Sequence, residues 1–138
     1  MTRTRAIRGL FFPGVGPLVR ARLHGPARSL DGLALVDTGA GMSAVDRQLA
    51  LDLGLPTHRA AEWKAVTRDT PELAPLRVGA LQIADDRRHW ELELIEVPNL
   101  RHRISGYQLV ALIGWDFLDQ CKITIDGPGG VFALELPR

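Results

Sequence analysis

The run Leu33-Ala34-Leu35-Val36 carries the chain straight into a carboxylate, Asp37, and Thr38-Gly39-Ala40 follows at once. A continuous apolar run of this kind, bounded by turn formers, reads as a buried strand. Glycine just after it permits a tight turn or a close backbone approach. One ionisable group is thereby carried on a strand end into an apolar setting, the kind of placement that marks functional sites. The same residues admit a plainer reading, in which the Asp side chain caps N–H groups of its own turn.

A second continuous run, Leu109-Val110-Ala111-Leu112-Ile113, ends in Gly114 and leads into an amphipathic turn of helix, Trp115-Asp116-Phe117-Leu118-Asp119. Apolar run, turn and short helix therefore occur twice, at 33–53 and at 109–119, and only the first copy has Asp at the turn. In that copy Ser43 stands in N-cap position with Asp46 three residues on. Val45, Leu49 and Leu53 recur at helical spacing, and Gly54 and Pro56 stop the helix, which is predicted over 44–53.

The remainder reads as strands and turns. Residues 18–23 put Val19, Ala21 and Leu23 on one face and Arg20 and Arg22 on the other. Gly25-Pro26 and Asp31-Gly32 read as two turns before the 33–36 strand. Arg68-Asp69-Thr70-Pro71 reads as the tip of a projecting hairpin, and 76–78 and 81–83 as short strands. Residues 90–97 alternate cleanly, with Trp90, Leu92 and Leu94 facing one way and Glu91 and Glu93 the other; a basic loop fills 98–108. A closing hairpin turns at Gly127-Pro128-Gly129-Gly130. No alternation of strand and helix runs through the chain, so the expectation is a mainly β domain with two small helices.

Composition limits the function classes. The 138 residues make one domain, and 46% hydrophobic with 24% charged residues is an ordinary globular balance. The net charge of +1 gives no global field for nucleic acid. Residues 1–30 nevertheless hold six arginines and no acid, so subtracting six from +1 leaves −5 for the rest. Residues 1–14 are read as a basic lead-in, solvated or frayed, and 15–138 as the domain. Such an arm can also bind nucleic acid or an acidic partner. Cys121, the single cysteine, fits a reducing compartment and reads as a buried or incidental thiol. The apolar stretch near the N-terminus is too short and too broken by Gly9 and Pro13 for a signal-peptide core, and no run approaches membrane-spanning length. The expected location is cytoplasmic. His24, His58, His89 and His102 lack metal-ligand spacing, so neither metal nor cofactor is expected. Asp116 and Asp126 read as a helix carboxylate and a turn opener, and the three tryptophans as packing residues.

Three segments together resemble the single-domain retropepsin-like aspartic proteases, which have retroviral, bacterial and cellular members. They are Ala34-Leu35-Val36-Asp37-Thr38-Gly39-Ala40 with Ser43 after it, Ala111-Leu112-Ile113-Gly114-Trp115-Asp116-Phe117-Leu118, and the closing hairpin. The second has the Gly-x-Asp-Phe-Leu form of the bacterial and cellular members. The resemblance covers residues 15–136 and implies a closed acid-protease β-barrel with two short helices and a flap hairpin. It also implies an aspartic endopeptidase that cuts peptide or protein substrates and works as a homodimer. The reaction needs two carboxylates sharing a proton and this chain has one Asp-Thr-Gly, so Asp37 would come from each of two subunits.

By the same resemblance, Thr38 would hydrogen-bond across the dimer, Gly39 would admit substrate backbone and Ala40 would line the cleft. Gly114 would pack behind the loop. Val66, Thr67, Arg68, Asp69 and Thr70 would form the flap, and segments 7–12 and 131–136 would join the subunits. The flap has no glycine where family flaps are often glycine-rich, and Trp115 replaces a basic residue of the retroviral members. The alternative reading is a catalytically silent dimeric module that binds peptides or proteins on the same fold. A third is a nucleic-acid-associated protein using the arginine-rich first 30 residues.

Overall fold

The computed structural model describes residues 6–63 and 70–138. The chain begins with β1, Ala6–Phe12, which turns back into β2, Gly16–His24. β2 buries Leu18, Val19, Ala21 and Leu23 and turns Arg20 and Arg22 outward, as the alternation predicts. The hairpin partner β3, Ser29–Val36, is longer than the apolar run alone and pairs as far as His24↔Ser29. Asp31-Gly32 is therefore strand and not turn. Asp31 pairs with Arg22 across the ladder at 2.8 Å. Gly32 is there for space, because a Cβ would lie 2.0 Å from the Gln108 carbonyl oxygen.

The predicted 44–53 helix divides in two. Ala44–Asp46 form a short strand, β4, and α1 covers Arg47–Leu53. The N-cap is Asp46, whose carboxylate accepts from Leu49 N–H at 3.1 Å, and not Ser43. Gly54 in the left-handed conformation closes the helix. β5, Thr57–Trp63, and β6, Glu72–Ile83, form the projecting hairpin. Of the predicted flap, Val66, Thr67, Arg68 and Asp69 lie outside the described residues, and Thr70 is exposed. The two short strands predicted at 76–83 are one strand, continuous through buried Gly79.

β7, Trp90–Val97, pairs with β6 over residues 90–95 and with β4 over residues 95–97. The loop at 98–108 contains a small strand, β8, Arg103–Ile104, paired with β9, Tyr107–Ile113. Then come α2, Trp115–Leu118, and the closing hairpin of β10, Lys122–Asp126, and β11, Val131–Glu135.

The pairings β2–β3–β9–β4–β7–β6 return to β2, because Ala21–His24 also pairs with 80–83 of β6. The sheet thus closes on itself as a barrel. Its interior is filled by Val19, Leu23, Ala34, Leu81, Ile83, Leu94, Val110 and Ile113, with α1 adding Leu49 and Leu53 and α2 adding Phe117 and Leu118. β1 bridges this barrel and the closing hairpin: residues 6–9 pair with β11 and residues 10–12 with β2. Ile7 of the supposed lead-in is buried in the core. No helix among the described residues is long and apolar enough to cross a membrane.

Candidate active site

The two apolar runs lie side by side. β3 and β9 are parallel neighbours, with Ala34↔Ala111, Leu35↔Leu112 and Val36↔Ile113 in register. Buried on both faces, such strands need continuous apolar sequence, which is what marks both runs. They end together at the Asp37 loop. Asp37 N–H donates to the Ile113 carbonyl at 2.9 Å, so the last bond of the ladder fixes the start of the loop.

Beyond that bond the loop folds on itself. The Gly39 N–H donates to Asp37 Oδ1 at 2.9 Å, and the Ala40 N–H to the Asp37 carbonyl at 3.2 Å. The plainer turn reading is thus correct as geometry and leaves the functional one open. Asp37 is half-buried, its Oδ2 has no partner among the described residues, and Thr38 and Gly39 are exposed.

The second half of the structural echo braces the first. The Trp115 N–H donates to the Ala40 carbonyl at 2.9 Å, and the Asp116 N–H to the Gly41 carbonyl at 3.2 Å. The Trp115 indole N–H donates to the Thr38 carbonyl. Gly114 packs so closely that a Cβ would lie 2.6 Å from the Met42 carbonyl carbon and oxygen. Asp116, exposed in the first turn of α2, takes Ser43. It accepts the Ser43 N–H at 3.1 and 3.0 Å and the Ser43 hydroxyl at 2.8 Å. The Ser43 hydroxyl in turn accepts the Gly114 N–H at 3.1 Å, and the Ser43 carbonyl accepts the Ile95 N–H at 2.9 Å. Ser43 is fully buried and every one of its polar groups is used. Sequence reasoning placed both residues in the motifs but missed that they bond to each other; the only available signal was their recurrence beside the two glycine turns.

Two cavities flank the loop. One, about 290 Å³, lies between Asp37-Thr38 and the outer face of β10, with Val15, Pro17, Ile123 and Ile125 in its walls. The other, about 390 Å³, opens from Gly39-Ala40 toward the β5–β6 hairpin. Its walls include Met42, Ala44, Ile95, Val97 and Leu112. His24 and Cys121 line neither cavity. His24 stacks on His89 at 4.4 Å and bonds Ser29 and Gln82. Burial, with a smaller contribution from nearby Asp119, pushes the Cys121 thiol up to about 11.

Among solved structures the chain is similar to a retropepsin-like aspartic protease from Rickettsia conorii, at 16% identity and a TM-score of 0.56, with 99% of this chain and 97% of that one covered. It is also similar to the retroviral protease-like domain of Ddi1 from Leishmania major, at 15% identity and a TM-score of 0.44, covering 87% and 92% of the two chains. No protein-family model and no curated protein sequence matches it. The fold is retropepsin-like, as the two motifs and their order predict.

Proposed function

We propose that this chain is an aspartic endopeptidase that acts as a homodimer, with Asp37 of each subunit forming one catalytic pair. The observation that carries the reading is Asp37 itself. It is a half-buried carboxylate with one oxygen unengaged among the described residues, on a loop braced from behind by Ser43, Gly114 and Asp116 in a retropepsin-like barrel. Preorganisation of this sort lets a site hold its groups in place without reorganising during reaction. Two such carboxylates facing each other share a proton. The ionised one takes a proton from a water lying between them, which attacks the peptide carbonyl, while the protonated one donates toward the carbonyl oxygen. Thr38 locks the two loops, and Gly39 and Ala40 border the bound backbone.

The subunits meet where Asp37 is. Of segments 7–12 and 131–136, expected to join two chains, residues 7–9 pair with 132–134 inside one chain, and the outer edge of β10 is unpaired among the described residues. Ile125, 52% exposed on that edge, and Trp115, 46% exposed, both adjoin Thr38. An exposed apolar edge strand is a ready template for pairing with another chain. The dimer therefore forms through the Asp37 loops and β10. A single cysteine fits a cytoplasmic setting for this enzyme.

The test is proteolysis of a denatured protein at mildly acidic pH by wild type and by Asp37→Ala. Cleavage by the wild type alone supports the enzyme. Equal cleavage by both, or none by either, removes it and favours a silent binding module.

A further inference from the structure

β4 covers only the last part of the outer edge of β7. Ala44–Asp46 pair with 95–97, and the chain before them leaves for the Asp37 loop, so residues 90–94 have no strand on that side among the described residues. The pairing also fixes which backbone groups are left over. Ile95 turns its N–H outward, to the Ser43 carbonyl at 2.9 Å. Ladder groups alternate sides along a strand, so Glu93 and Glu91 turn their N–H and C=O to the same edge, where nothing among the described residues takes them. A groove of about 530 Å³ lies there, lined by residues 90–93 and by Met42, Asp116 and Phe117.

The groove is acidic. Glu91 is exposed and has no ion pair among the described residues. Glu93 shares Arg59 and His58, at 3.3 and 3.4 Å, and Asp116 is held by Ser43 without a cation among the described residues. We infer that this edge docks an extended segment of another protein whose alternate side chains are lysine or arginine. The inference stands apart from the Asp37 site. An incoming strand takes up the free groups of Glu91 and Glu93. Residues opposite each other on neighbouring strands project to the same face, so its cations lie beside Glu91 and Glu93. The side chains between them lie on the other face, where Trp90 packs edge-on against Phe117 at 5.5 Å. Charges on an edge discourage indiscriminate pairing. These carboxylates admit a basic strand and repel an acidic one.

The experiment uses the full chain carrying Asp37→Asn, so that no probe is cut. Anisotropy measures binding of a capped peptide alternating lysine and leucine, of its glutamate counterpart, and of the lysine peptide N-methylated at every peptide nitrogen. Hydrogen exchange read by NMR follows the Glu91 and Glu93 amides. Glu91→Pro removes an outward N–H, and Glu91→Lys reverses the charge with the backbone intact; circular dichroism checks both folds. The expected result is binding of the unmethylated lysine peptide alone, with added protection of both amides. Binding weakens roughly tenfold in Glu91→Lys and is lost in Glu91→Pro. If Glu91→Pro does not fold, Glu91→Lys and the methylated peptide decide. Equal binding of the three peptides, binding that Glu91→Lys leaves unchanged, unprotected amides or no binding at all overturns the docking edge. Protection that rises with protein concentration in the absence of peptide assigns the edge to a second copy and overturns the basic partner. Asp37 plays no part in these readouts, so the docking edge and the protease can fail separately.

Discussion

Asp116 takes the Ser43 N–H and hydroxyl, while that hydroxyl takes the Gly114 N–H, so one carboxylate ties the Asp37 loop to the start of α2. Asp116→Ala leaves the buried Ser43 N–H without an acceptor, at a cost of about 1–3 kcal/mol. Asp116→Asn keeps an oxygen in place and loses less. Urea denaturation of the two variants, followed by their cleavage rates, separates lost stability from lost positioning. Asp37→Asn should do the opposite, leaving the denaturation midpoint unmoved while cleavage falls by about 10²–10⁴-fold. Cys121 makes a third prediction at this scale. Its thiol is pushed up to about 11 from an ordinary 9.0, first by burial and then by Asp119. The folded chain therefore holds the thiol proton more tightly than the unfolded chain. The resulting stability is complete below about 9 and is lost as pH rises toward about 11. Thermal midpoints measured across that window should fall, less steeply in Cys121→Ser, and alkylation at pH 8 should be slower in the folded than in the urea-unfolded chain. The Asp-Thr-Gly loop was legible residue by residue because its chemistry is local. The Ser43–Asp116 bond was not, since nothing in either residue's neighbourhood names a partner so far along the chain.

Elements were legible where periodicity is local and illegible where a distant strand intervenes. Residues 47–53 formed the helix that Leu49, Leu53 and Gly54 predict, but 44–46 pair with Ile95, Glu96 and Val97 of β7 and became strand. A non-local ladder overrode the helical spacing of Val45, and the cap moved from Ser43 to Asp46. In the same way, Asp31-Gly32 has turn chemistry, yet it lies in β3 because the Gln108 carbonyl needs the room that glycine gives. The outer edge of β10, unpaired among the described residues, carries the element-scale prediction. Ile125 is more than half exposed and is not among the buried core residues, so Ile125→Asp should fold, which circular dichroism checks. It puts a charge where two edges meet, so it should shift the sedimentation profile from dimer to monomer and reduce cleavage in proportion to the dimer lost.

At the scale of the molecule, the barrel closes through β2–β6 and buries a continuous core, so one chain is complete as a fold. Under the proposed function it is half of a catalyst, because it carries a single Asp-Thr-Gly and the proposed reaction needs two carboxylates. The sequence made the barrel readable through its two apolar runs. For the joining surface it offered Thr38 and the segments 7–12 and 131–136, and it did not single out β10, because an exposed strand edge is defined by the absence of a neighbour. The proposed shared site makes a quantitative prediction that no self-sufficient monomer could imitate. When wild type and Asp37→Asn subunits exchange freely in equal amounts, dimers form in the statistical ratio of about 1:2:1, and about half of the wild-type chains sit opposite a dead partner. Activity per wild-type chain should then fall to about half, and with a ninefold excess of the variant to about a tenth. An independent active site in each chain would leave it unchanged. Adding Ile125→Asp to the inactive subunit should abolish the inhibition, since a chain that cannot pair at β10 cannot occupy the other half of the site.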